Sequence, residues 1–89
     1  MEHVVTVSKK IKKRLSNLPD HVVDRFTLLA ETLRQFGATG PHTWPNYGKL
    51  TKTEYHCHLT YHYVACWRHE GNTITIEVYY VGSRENAPY

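Results

Sequence analysis

Three histidines stand close together in the second half of the chain, His56, His58 and His62 in YHCHLTYHY. Basic residues flank them, with Lys49 and Lys52 before and Arg68 and Arg84 after. Imidazole titrates near neutrality and can take or give a proton, whereas a guanidinium keeps its charge and offers phosphate a planar fork. These groups suit attack of an RNA 2′-hydroxyl on the adjacent phosphate. That reaction needs a base for the hydroxyl, a cation for the phosphorane charge and an acid for the departing 5′-oxygen. Tyr79 and Tyr89 add rings able to stack on bases. Two plainer readings stay open at this level. The histidines could be polar residues on a solvated strand face, or His56 and His58 could bind zinc with His62 or Cys66 as a third ligand. No CxxC or carboxylate-rich motif accompanies them.

The residue period predicts how these groups are presented. YHCHL (55 to 59), YHYVACWR (61 to 68) and TITIEVYYV (73 to 81) are rich in β-branched and aromatic residues and are expected as strands. Turns are expected near Thr60-Tyr61 and at Glu70-Gly71-Asn72, and Lys49-Leu50 as a further short strand. Alternation then sends Tyr55, Cys57 and Leu59 inward, together with Tyr63, Ala65 and Trp67 and with Ile74, Ile76, Val78 and Tyr80. His56, His58, His62, Val64, Cys66, Arg68, Glu77 and Tyr79 are left on the other face.

Elements that must support this sheet precede it. HVVTV (3 to 7) reads as a first strand, and Ser8 suits an N-cap for the basic helix KKIKKRLSN with Ile11 and Leu15 as its apolar stripe. Pro19 and Asp20 open a second helix whose Val22, Phe26, Leu29 and Leu33 recur at helical spacing until Gly37 closes it. GATGPHTWPN (37 to 46) is expected as a loop with Trp44 as a lid over the core edge. Strand, two helices and a meander define an α+β domain over residues 1–89. In it the two helices pack on one face of a small, mostly antiparallel, twisted sheet and leave the histidine face open.

With 89 residues and 40% hydrophobic composition, one core is expected. Net charge +3 and seven histidines favour a polyanion or an acidic protein as partner. No apolar run approaches the roughly 20 residues of a membrane span, so a soluble cytoplasmic protein with no membrane association is expected. Cys57 and Cys66 are expected as buried thiols.

The stretches WPNYGKL, YHCHL, HYVACWR and TIEVYYVGSRENAPY resemble the RelE-like toxins of bacterial type II toxin-antitoxin modules, especially a histidine-rich branch of cytotoxic translational repressors. The similarity is strongest over residues 44 to 89. Its most specific pattern is GKL, YxxxL, an aromatic-rich strand, VG-x-R and a closing tyrosine. The resemblance implies a RelE-like fold and metal-independent, cofactor-free cleavage of mRNA in the ribosomal A site. For the ParE-like branch it implies gyrase inhibition without RNA cleavage, and a protein-binding module is a further alternative. By position, His56 and His58 stand where the best-known members carry lysines, Arg84 matches the arginine after VG, and Tyr89 matches the terminal tyrosine. Val64 stands where many members carry an arginine, with His62 as candidate compensation. His56, His58, His62, Arg84 and Tyr89 are thus the expected catalytic set, and Lys49, Lys52, Arg68 and Tyr79 the expected RNA contacts. The implied partners are the ribosome, mRNA and a cognate antitoxin forming a heterocomplex with the toxin.

Overall fold

Ser8 ends the first strand and begins the first helix, its hydroxyl accepting from the Ile11 amide at 3.2 Å. In this computed structural model, which describes residues 2–89, the chain runs β1 (Val4–Val7), α1 (Lys9–Leu15), α2 (Asp20–Phe36), β2 (Gly48–Lys49), β3 (Glu54–His58), β4 (Tyr63–His69) and β5 (Thr75–Ser83). Short 3-10 turns lie at Gly40–Thr43 and Arg84–Asn86. Pro19 caps α2 from outside, placing Asp20 at the positive end of the helix dipole. At the other end the Gly37 amide donates to the Leu33 carbonyl at 2.9 Å, with φ of 84°. A side chain rarely adopts that left-handed geometry, and glycine does so freely.

The five strands form one sheet in the order β1-β5-β4-β3-β2. β1 pairs with β5 in parallel, and the remaining pairs are antiparallel. Both helices pack against one face, as expected of an α+β chain. Val22, Phe26, Leu29 and Leu33 of α2 and Ile11 of α1 meet Tyr55, Cys57, Ala65, Trp67, Ile76, Val78 and Val81 from the strands. Trp67 is wholly buried, and its Nε1 donates to the Ala38 carbonyl at 3.0 Å. Its ring stacks on Tyr55 at 6.0 Å, and Tyr47 continues the stack. Trp44 packs against the edge of this core, as the sequence suggests.

One expectation fails at a specific place. Strict alternation puts Ile74 and Tyr80 inward beside Ile76 and Val78. The β4–β5 ladder instead steps from Trp67↔Val78 to Cys66↔Tyr80, so Tyr79 is an extra residue at a β-bulge. A bulge puts two consecutive side chains opposite one partner. Tyr79 and Tyr80 therefore share the face of Cys66, and alternation resumes with Val81 back in the core. Ile74 precedes β5 and is 51% exposed.

Trp67→Phe removes ring volume and leaves the Ala38 carbonyl without its donor. Urea denaturation should show a loss of about 2 kcal/mol; unchanged stability would contradict Trp67 as the hub of the core.

Candidate functional site

Cross-strand pairing arranges the face opposite the helices into three rows. Glu54, Arg68 and Glu77 lie side by side in the first; Gly48, His56, Cys66 and Tyr80 in the second; His58, Val64 and Gly82 in the third. Val64 and Cys66 face away from the helices, as alternation predicts, yet both are fully buried. The cover comes from the bulge tyrosines and from the chain after β5, which folds back across the sheet. Its end, Tyr89, sets its ring 4.5 Å from that of His56. Tyr89 therefore lies over the middle row, rather than at the rim.

The first row is electrostatically closed. Arg68 bonds the Glu54 carboxylate at 3.1 Å and that of Glu77 at 2.8 Å, with its guanidinium 4.6 Å from the Tyr79 ring centre. Hydrogen bonding to Glu54 raises its pKa above the usual arginine value, deepening its hold on the proton. Burial pushes the Tyr79 phenol upward too, and Tyr79 bonds Glu54 at 3.5 Å. Neither residue is the free cation or open stacking platform that the sequence suggests.

The third row is different. His58 lies near Arg84, which among the described residues forms no ion pair. Burial first, and the Arg84 charge second, depress the His58 pKa below 6.5. Burial and then the neighbouring His58 depress His56 as well, and its Nδ1 is buried without a hydrogen-bond partner. Both rings are consequently neutral near pH 7. Burial raises the Tyr89 phenol, which keeps its proton. The Arg84 amide donates to the His62 carbonyl at 2.9 Å, and its guanidinium stacks over Tyr61 at 4.5 Å. This ties the start of the tail to the β3–β4 turn. A neutral base, an unpaired guanidinium and a protonated phenol thus converge on one face.

Three expected contributors lie elsewhere. His62 is exposed in the β3–β4 turn, because β4 begins only at Tyr63. Lys49 pairs with Tyr55 and so shares the helix-side face, its ammonium 5.5 Å from the Tyr55 ring centre. Lys52 is exposed in the turn between β2 and β3. Two residues not anticipated from the sequence reach the site. Arg14 of α1 places its guanidinium 5.5 Å from the Tyr80 ring centre. A Cβ on Gly82 would come within 2.8 Å of the Tyr80 hydroxyl and 2.9 Å of Arg14 Nη1. Gly82 thus supplies clearance rather than the backbone turn that a glycine after a strand suggests. Asn46, in the loop before β2, puts its side-chain amide 3.3 Å from His58 Nε2.

Burial pushes both cysteine thiols up to about 12, which leaves them protonated and unreactive at neutral pH. Among the described residues, no group of three or more His, Cys, Asp or Glu is arranged to hold a metal ion. Nor is any helix long and apolar enough to cross a membrane.

Neither the protein-family models nor the curated proteins contain a match to this chain. Among solved structures, the chain is similar to one in the archaeal RelE-RelB complex from Pyrococcus horikoshii OT3. The two are 19% identical, the alignment covers 98% of this chain and 100% of the other, and the TM-score is 0.76. The fold is RelE-like.

Because His56 and His58 have pKa values below 6.5 in the folded state, the unfolded chain binds more protons in mildly acid solution. Stability should therefore fall as pH drops through about 6.5 and level off below the folded values. His56→Phe removes one titration and the unpartnered nitrogen. Thermal unfolding should show a smaller loss in Tm for this variant than for wild type between about pH 8 and pH 5. Parallel curves would show that His56 is not the half-buried neutral ring described above.

Proposed function

We propose that this protein is the toxin of a type II toxin-antitoxin module and cleaves ribosome-bound mRNA. The observation that carries the reading is the placement of His58, with its depressed pKa, beside an Arg84 that no carboxylate among the described residues neutralises. The RelE-like fold and the motif resemblance supply the class, and the chemistry of the open face supplies the reaction.

In this mechanism neutral His58 takes the proton of the 2′-hydroxyl, whose oxygen attacks the adjacent phosphorus. Arg84 stabilises the added negative charge on the phosphorane, a preorganised contact that strengthens as charge develops. The bond to the 5′-oxygen breaks, and the Tyr89 phenol, whose ring lies against neutral His56, donates a proton to that oxygen. The products are a 2′,3′-cyclic phosphate and a 5′-hydroxyl end. Tyr89 also presents the ring on which a base would stack. Lys52 and exposed His62, at two margins of the face, would hold message or ribosomal RNA. Arg14 brings a second guanidinium toward Val64, the position from which an arginine is missing. Arg68 and Tyr79, bound up with Glu54 and Glu77, have a structural part in this scheme, and Lys49 faces the helix side.

The known complex with RelB was solved for the archaeal protein. By analogy, an acidic antitoxin segment would cover the basic open face here and block entry of the message. The toxin would act in the cytoplasm, where ribosomes are.

In vitro translation followed by primer extension tests the reading. Wild-type protein should cut ribosome-bound message, and His58→Ala and Arg84→Ala should each slow single-turnover cleavage about 100-fold or more. Arg68→Gln should leave the rate within about threefold of wild type. Intact message with the wild-type protein, together with gyrase inhibition, would instead establish the ParE-like alternative.

The rate should also report the histidine. Since His58 must be neutral and its pKa lies below 6.5, the acid limb should have its midpoint below that value. The phenol is raised above 10.0, so no fall should appear at neutral pH. An acid limb centred above 7 would exclude His58 as the base.

A further inference from the structure

We propose that Asn46 is the positioning residue of His58. Its amide fixes the ring proton on Nδ1 and so selects Nε2 as the nitrogen that accepts a proton. The catalytic consequence rests on the reaction proposed above; the tautomer assignment does not.

The geometry is specific. The Asn46 side-chain nitrogen lies 3.3 Å from His58 Nε2. With the amide nitrogen turned to the ring, its N–H donates and Nε2 presents its lone pair, the arrangement that the proposal assigns to this contact. A neutral histidine side chain in water favours the other tautomer, with the proton on Nε2. Holding the Nδ1–H form therefore takes a partner, and Asn46 is the one in place.

The loop holds that partner firmly. Asn46 has φ of 55° and is the only described non-glycine residue with positive φ. Asparagine tolerates this conformation better than most residues. The His58 amide donates to the Pro45 carbonyl at 2.8 Å, tying the loop to the same residue that the side chain addresses. The preceding Trp44 lies 4.5 Å beneath the Arg25 guanidinium, and Arg25 Nε donates to the Leu59 carbonyl at 3.3 Å. Loop and strand end are thus fastened on both sides of the contact.

The charges around His58 explain why a neutral partner suits the site. Arg84 faces it from the tail, His56 from its own strand, and uncharged Val64 stands opposite on β4. An aspartate at position 46 would fix the same ring but hold it protonated. The asparagine amide sets the tautomer while leaving the ring neutral. At 3.3 Å the contact is long for a hydrogen bond, so an entering 2′-hydroxyl can replace the amide at Nε2.

The test is nitrogen-detected histidine NMR on the full chain, with cleavage measured in parallel. In the wild type above its titration midpoint, His58 Nε2 should show the shift of an unprotonated nitrogen. Asn46→Gly preserves the left-handed backbone and removes the amide, and should move His58 to the Nε2–H form. Asn46→Asp should raise the His58 midpoint by about one pH unit or more and move His56 much less. The glycine variant should also cleave about tenfold more slowly with RNA affinity unchanged. A wild-type His58 already protonated on Nε2, or a glycine variant with the wild-type tautomer, overturns the proposal. A wild-type protein that shows the Nδ1–H tautomer but cuts no message leaves the Asn46 assignment standing and removes the nuclease reading instead.

Discussion

The bulge opposite Cys66 is the constraint on which the rest of the site depends. One extra residue, Tyr79, lets β5 keep Ile76 and Val78 in the core, turn two consecutive tyrosines to the open face, and return Val81 to the core. Without it, Tyr80 would face the helices, and Val81 would leave the core it now fills. Bulges also sharpen strand twist. Here the irregularity lies just before the point where the chain leaves the sheet and folds back, carrying Arg84 toward His58 and Tyr89 onto His56.

Position on a face does not by itself make a group available. Arg68 and Arg84 both belong to the open side of the sheet, but two carboxylates flank the first and, among the described residues, none pairs with the second. The paired end of the sheet is a cross-strand electrostatic clasp, holding β3, β4 and β5 in register. The other end keeps an unpaired cation beside histidines that burial holds neutral. This division makes the third row, rather than the whole basic surface, the region of chemical interest. It also gives Val64 a physical role: with Gly82 it forms a low, uncharged floor between His58 and the Arg14 guanidinium.

Much of this was legible in the sequence because it rests on local periodicity. The helical spacing of Val22, Phe26, Leu29 and Leu33 gave the buried face of α2, and alternation gave His56 and His58 on the opposite side of the sheet from Tyr55 and Cys57. The VG-x-R motif directed attention to Arg84, which lies near His58 in the fold. What could not be read depends on departures from period or on contacts distant along the chain. No residue type announces that Tyr79 is the bulged position, so Tyr80 was expected on the wrong face. His62 follows an alternating pattern but falls in the turn. Glu54 and Glu77 are separated from Arg68 by 14 and 9 positions, so their pairing emerges only once the strands are side by side. Asn46 and Arg14 looked like a loop residue and a solvated helix residue for the same reason.

The central claim is that a histidine and an arginine, without help from a metal, direct the message's own 2′-hydroxyl against its phosphate. The most direct measurement is the chemistry of the cut ends, by mass spectrometry of a defined ribosome-bound message incubated with the protein in the presence of a chelator. The account predicts a 2′,3′-cyclic phosphate on the upstream fragment and a 5′-hydroxyl on the downstream one. An upstream 3′-hydroxyl with a downstream 5′-phosphate, the signature of attack by water, would contradict it.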